Sequence, residues 1–149
     1  MENSGARMMS EPRQWEVRTV TSSPNVPDDC FVVGISEDTE GSERYFIFQS
    51  RLSAPSAQAR RLEMDSYCTV TESGDVNYGG LENVVITPAS ITLYFNEEAV
   101  EELSLSGRRV TLGLAPEVDV PLLVSGLRKV LFYGNAEKHP RFHDPFEEG

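Results

Sequence analysis

The side chains of this chain that could do chemistry are two histidines, two cysteines and a set of paired carboxylates. His139 and His143 are separated by three residues, with Asp144 directly after the second. That spacing offers two imidazoles and a carboxylate to a metal if the segment is helical. Pro140 and Pro145 oppose this, because a residue that precedes proline is pushed out of the helical region. No metal or other cofactor is therefore expected. Cys30 and Cys68 would need a neighbouring base and an electropositive setting to become thiolates. Their surroundings are apolar and acidic, so free buried thiols are expected. Glu97-Glu98 and Glu101-Glu102 are carboxylate pairs on a stretch expected to face solvent, where a run of charge is usually just solvated. No G-x-S-x-G, P-loop or dinucleotide-binding glycine pattern occurs. The chain is expected not to be an enzyme.

Charge narrows the partners. The formal net charge is −11, and between Arg61 and Arg108 there is no basic residue at all. Glu63, Asp65, Glu72, Asp75, Glu82, Glu97, Glu98, Glu101 and Glu102 all fall inside that gap. Binding to a nucleic-acid backbone demands Lys and Arg, so nucleic acid is not an expected partner. A basic protein would be steered towards such a surface, while the plainer consequence of the charge is solubility. No apolar run reaches the length of a membrane helix, and the first residues lack the apolar core of a secretory signal. No membrane partner and a cytoplasmic location follow as expectations, and oligomeric state is left open.

At 149 residues the chain suits one domain with its own core. Residues 1–12 read as a mobile tail, 13–133 as a single α+β domain and 134–149 as a polar C-terminal tail. Trp15, Val17 and Thr19 alternate with Glu16 and Arg18 as a first strand, and Thr21 to Asp29, with two prolines, reads as a loop. Cys30 to Ser36 is a more continuous apolar strand, joined by a loop of about eight residues to the aromatic strand from Arg44 to Ser50. Pro55 could open a short helix at its first turn, and a loop fits that stretch nearly as well.

From Tyr67 to Phe95 the chain reads as consecutive antiparallel strands. Tyr67 to Thr71 alternates, Ser73-Gly74-Asp75 turns, and Tyr78-Gly79-Gly80 marks a second turn or bulge before Val84–Ile86. Ile91, Leu93 and Phe95 alternate with Thr92 and Tyr94. Asn96 then caps a short helix that buries Ala99, Val100 and Leu103 and turns Glu98, Glu101 and Glu102 outward. Val110, Leu112 and Leu114 make another strand. Asp119 caps the last helix, whose Leu123, Val124, Leu127, Val130 and Leu131 share one apolar face. Burying four of those side chains is worth about 6–10 kcal/mol before entropy is counted. The expected architecture is an antiparallel sheet of six or seven strands with two helices, the C-terminal one packed on one face.

The sequence from Tyr67-Cys68 through Tyr78-Gly79-Gly80, the two apolar strands and the Asn96 to Leu103 helix, on to Leu131, resembles a family of immunity proteins from bacterial polymorphic toxin systems, the tenth catalogued. That resemblance implies a protein that binds and neutralises a cognate toxin, itself basic, by occluding its active surface. Glu72, Asp75, Glu82, Glu97, Glu98, Glu101 and Glu102 would then meet the toxin's basic surface, with Tyr78 and Tyr94 as buried aromatic anchors. For the two glycines the plainer reading is conformational, as a bulge or close backbone approach. A rival from another class is a small-ligand or metal-binding regulatory domain with a pocket between sheet and C-terminal helix, lined by Phe46, Phe48 and Phe95.

Overall fold

The computed structural model describes residues 15–38 and 44–146. The expected tail at 1–12 and most of the acidic link between the second and third apolar stretches lie outside these residues. Among the described residues the fold is α+β, with ten strands and three α-helices. In chain order the strands are β1 (Glu16–Val17), β2 (Thr19–Asn25), β3 (Cys30–Ser36), β4 (Tyr45–Arg51), β5 (Cys68–Thr71), β6 (Val76–Tyr78), β7 (Leu81–Thr87), β8 (Ser90–Phe95), β9 (Arg109–Leu114) and β10 (Arg141–His143). The helices are α1 (Ala57–Arg61), α2 (Glu97–Glu102) and α3 (Val120–Leu131).

The strands divide between two five-stranded sheets, ordered β1-β9-β8-β7-β10 and β2-β3-β4-β5-β6. All pairings are antiparallel except β1 with β9 and β10 with β7, which are parallel. The strand count exceeds the expected six or seven because three elements carry no usable alternation. β2 is a polar edge strand (TVTSSPN) where a loop was expected, and an edge tolerates its Pro24. β6 and β10 are three residues each and owe their existence to the neighbours they pair with. What reads as one strand from Trp15 to Thr19 is two, since the chain changes sheets at Arg18.

The inner faces meet at an aromatic stack. Phe46 of β4 lies against Trp15, Phe48 and Phe95 at centroid distances of 6.2, 6.0 and 6.0 Å, and Phe95 belongs to the opposite sheet. On β5 Thr69 and Thr71 are buried opposite Phe48 and Phe46 of β4, and Tyr67, just before the strand, is buried as well. α3 lies along β2, β3 and β4 and buries Leu123, Leu127, Val130 and Leu131 completely. At the crossing, a Cβ on Gly126 would stand 2.9 Å from Val33 Cγ2 and closer still to Ser22 Oγ. The helix therefore sits nearer the sheet than any side chain at that position permits. The ring stack and this close crossing occupy the space that the ligand-pocket reading requires.

The C-terminal stretch corrects an expectation. Residues 134–146 pack back onto the domain instead of trailing as a tail. Gly134 adopts φ +74, and the next backbone N–H donates to Asp65 O at 2.9 Å. β10 then adds to the edge of β7 in parallel, with Phe142 buried against Phe132. Arg128 of α3 stacks over Phe142 at 4.5 Å and pairs with Asp144 at 2.6 Å. Burial pushes the Asp144 carboxyl up, but the hydrogen bonds from Arg128 and the Phe146 N–H outweigh it and hold it below the usual carboxylate range. Two phenylalanines in an otherwise polar stretch were the only sequence sign of this docking.

Candidate interaction surface

The turn Tyr78-Gly79-Gly80 carries the chain from one sheet to the other. Gly79 has φ +67, and a Cβ there would meet Lys138 Cδ at 2.6 Å and Ser66 Oγ at 2.8 Å. Gly80 lies equally tight against Asn77 and Ala99 of α2, so neither position has room for a side chain. Tyr67 grips the same turn twice: its carbonyl accepts from the Gly79 N–H at 3.0 Å, and its hydroxyl accepts from the Leu81 N–H at 2.9 Å. Burial pushes the Tyr67 phenol far up, so it stays protonated. The conformational reading of the glycines therefore holds, and Tyr67 is the residue that fixes the crossing.

Beside this turn opens a groove of about 710 Å³. Its floor is the outer face of β7 and β8, where Arg141, Asn83 and Tyr94 are register partners across three strands. Glu82 falls at an irregularity of register between Leu81 and Asn83, the kind of bulge that redirects a side chain. Tyr78, Asn96, Glu98, Glu137, Lys138 and His139 complete its lining. Among the described residues four buried side-chain atoms lack a hydrogen-bond partner, Asn83 Oδ1 and His139 Nε2 on residues of the groove and Thr69 Oγ1 and Asn77 Oδ1 on residues outside it. His139 is held edge-on to Phe132, with 5.4 Å between ring centroids.

α2 forms where the sequence predicts a short capped helix. Asn96 Oδ1 accepts from the Ala99 N–H at 2.8 Å, and Ala99 and Leu103 are buried. Glu97, Glu98, Glu101 and Glu102 are exposed. Glu102 accepts from Asn77 Nδ2 at 2.8 Å, which ties the end of the helix to β6. Beyond it lies the β5–β6 turn, with Glu72 accepting from the Tyr45 N–H and Asp75 from Ser73 Oγ. A shallow hollow lined by Glu72, Ser73 and Leu103 connects that turn to the end of α2.

The nine residues singled out in sequence thus fall into two linked groups. Tyr78, Glu82, Tyr94 and Glu98 line the groove, while Glu97, Glu101 and Glu102 occupy α2 and Glu72 and Asp75 the turn past its end. Glu82 is partly neutralised by Arg108 at 2.8 Å, which also donates to Phe95 O. Sequence reasoning missed Asn83, Asn96, Glu137, Lys138, His139 and Arg141 as groove residues. Only Asn83, a lone amide inside the run Leu81–Thr87, carried a local signal.

The histidine–aspartate spacing does not make a ligand set. His139 ends a 3₁₀ turn against Phe132, His143 lies on β10, and Asp144 is taken by Arg128. Among the described residues, no group of three His, Cys, Asp or Glu side chains is placed to hold a metal ion. Both cysteines are free thiols, Cys68 buried and Cys30 half-buried. Burial pushes both up in pKa, and Asp28 and Asp29 add to the effect at Cys30, so they stay as thiols. No helix among the described residues is long and apolar enough to cross a membrane.

Fold and surface together define an acidic α+β domain with an open polar groove beside a carboxylate-bearing helix. The chain belongs to the Immunity protein 10 family, whose model matches residues 16–120. The match starts at β1, well before Tyr67, and stops as α3 begins. No curated protein and no solved structure matches the chain.

Proposed function

We propose that this chain is an immunity protein that protects a bacterial cell by binding a cognate toxin domain of a polymorphic toxin system and covering its active surface. Membership of the Immunity protein 10 family is the observation that carries this reading. The mechanism is occlusion without catalysis. Glu97, Glu98 and Glu101, exposed on α2, steer a basic toxin surface, and Tyr78 and Tyr94 supply area that becomes desolvated in the complex. Glu72, Asp75, Glu82 and Glu102 already accept bonds within the chain and act as a supporting field. The protein works in the cytoplasm, with neither nucleic acid nor membrane as its partner, in keeping with the anionic surface. The test is to express the toxin encoded beside this chain with and without it. Rescue of growth is expected, and equal killing in both cultures sinks the proposal.

A further inference from the structure

The edges of the two sheets are not built alike. Three of them end in strands of two or three residues, β1, β10 and β6, which offer little ladder of their own. β2 is the exception, an edge strand of seven residues, TVTSSPN, with Thr21 and Ser23 exposed. No charged residue falls between Arg18 and Asp28, in a chain whose net charge is −11. Charge is a common means of keeping an edge from pairing, and on β2 only Pro24 limits it. The ladder fixes which backbone groups look outward. Ser36 O accepts from the Arg18 N–H at 2.9 Å, and the Glu37 N–H donates to Arg44 O at 3.1 Å, so Ser36 turns towards β2 and Glu37 towards β4. Thr19, Thr21 and Ser23 are the register partners of Ser36, Gly34 and Val32, and their backbone groups turn to β3. Val20 and Ser22 therefore hold their N–H and C=O groups towards the open side, where among the described residues the chain supplies no partner.

We propose that β2 pairs with β2 of a second copy of this chain, antiparallel about a two-fold axis at Thr21, so that one sheet runs through a weak dimer. In that register Val20 of each copy exchanges both hydrogen bonds with Ser22 of the other. Thr21 meets its own mate and Thr19 meets Ser23, hydroxyl pairs that favour antiparallel neighbours. Pro24, which has no N–H, and Arg18, whose N–H is given to Ser36, lie just outside the paired stretch. Moving the axis towards Asn25 would set the Pro24 ring against the other strand. A second copy is the occupant because it brings an equally long, open and uncharged edge, whereas a charged strand finds no counter-ion on β2. Backbone pairing from Thr19 to Ser23 buries less than a standard interface, which puts the dimer in the weak class, with a Kd of about 100 µM.

Sedimentation of the full chain at concentrations up to about 1 mM tests this. A reversible monomer–dimer equilibrium is expected, and raising salt from about 0.05 to about 0.5 M should tighten it several-fold by screening two bodies of like net charge. Thr21→Glu places like charges opposite each other at the axis and should weaken the dimer by about tenfold, while Thr21→Gln, equal in length but uncharged, should keep it within about twofold. Thr21 is exposed and faces Gly34, so both longer side chains have room and the two variants should melt at the same midpoint. A chain that stays monomeric throughout overturns the proposal, as does a dimer that Thr21→Glu leaves intact or that salt weakens. The last arm is the purified toxin domain encoded beside this chain, whose affinity should be the same for Thr21→Glu and wild type. A parallel loss of toxin binding would give the β2 edge to the toxin and overturn the second copy as its occupant.

Discussion

The interface that α3 makes with β2, β3 and β4 and the groove floored by β7, β8 and β10 belong to different sheets, and they differ in what lines them. Beneath α3 the contacts are leucine, valine and phenylalanine, Asp119 caps the helix through the Leu122 N–H at 3.0 Å, and Asp144 is satisfied by Arg128. The groove is lined instead by tyrosine, amide, imidazole and charged side chains. The first is closed off by folding, whereas the groove stays open to solvent.

Mutations can break that contrast from either side. Leu127→Ala, at a fully buried position under α3, should have the largest effect on stability, about 2–5 kcal/mol by urea denaturation. Its toxin affinity, measured where it is still folded, should change little. Combined charge reversal, Glu98→Lys with Glu101→Lys, should do the opposite. Stability should stay within about 0.5 kcal/mol, as for exposed positions generally. Association with the toxin should slow by about tenfold at low ionic strength and recover towards wild type as salt is added. Stopped-flow rates that do not change would move the contact away from α2.

Asp144 joins the two regions, because its pairing with Arg128 fastens the segment that carries β10 to α3. Its carboxyl lies below the ordinary range in the folded protein, so its contribution to stability is present above the unfolded pKa of about 4 and is lost as pH falls through the depressed folded value. Asp144→Asn should therefore give a shallower loss of stability with acid below about pH 4 than wild type shows. Equal acid limbs for both proteins would mean that the pair adds nothing there. This is the smallest effect of the three.

How much of this was legible depended on whether a feature is local. The bounds of α2 and α3 followed from Asn96 and Asp119, since a cap bonds the backbone of its own first turn. β8 and β9 followed from alternation, because each has one face in the core. β2, β6 and β10 were illegible, as short or polar strands are stabilised by ladders to residues distant in sequence. The same holds for the groove. Its floor joins Asn83 to Tyr94 and Arg141, and the lone amide at 83 says nothing about the missing partner at its end.

By itself, the sequence determined the anionic stretch between Arg61 and Arg108, the capped helices, the alternating strands and the glycines at 79 and 80, since each depends on residue type and near-neighbour spacing. Tertiary structure alone decided that the strands split into two sheets, that residues 134–146 return onto the domain, and which carboxylates are already engaged. Those outcomes depend on contacts between distant segments. Side-chain hydrogen bonding at the groove is settled only when such segments meet.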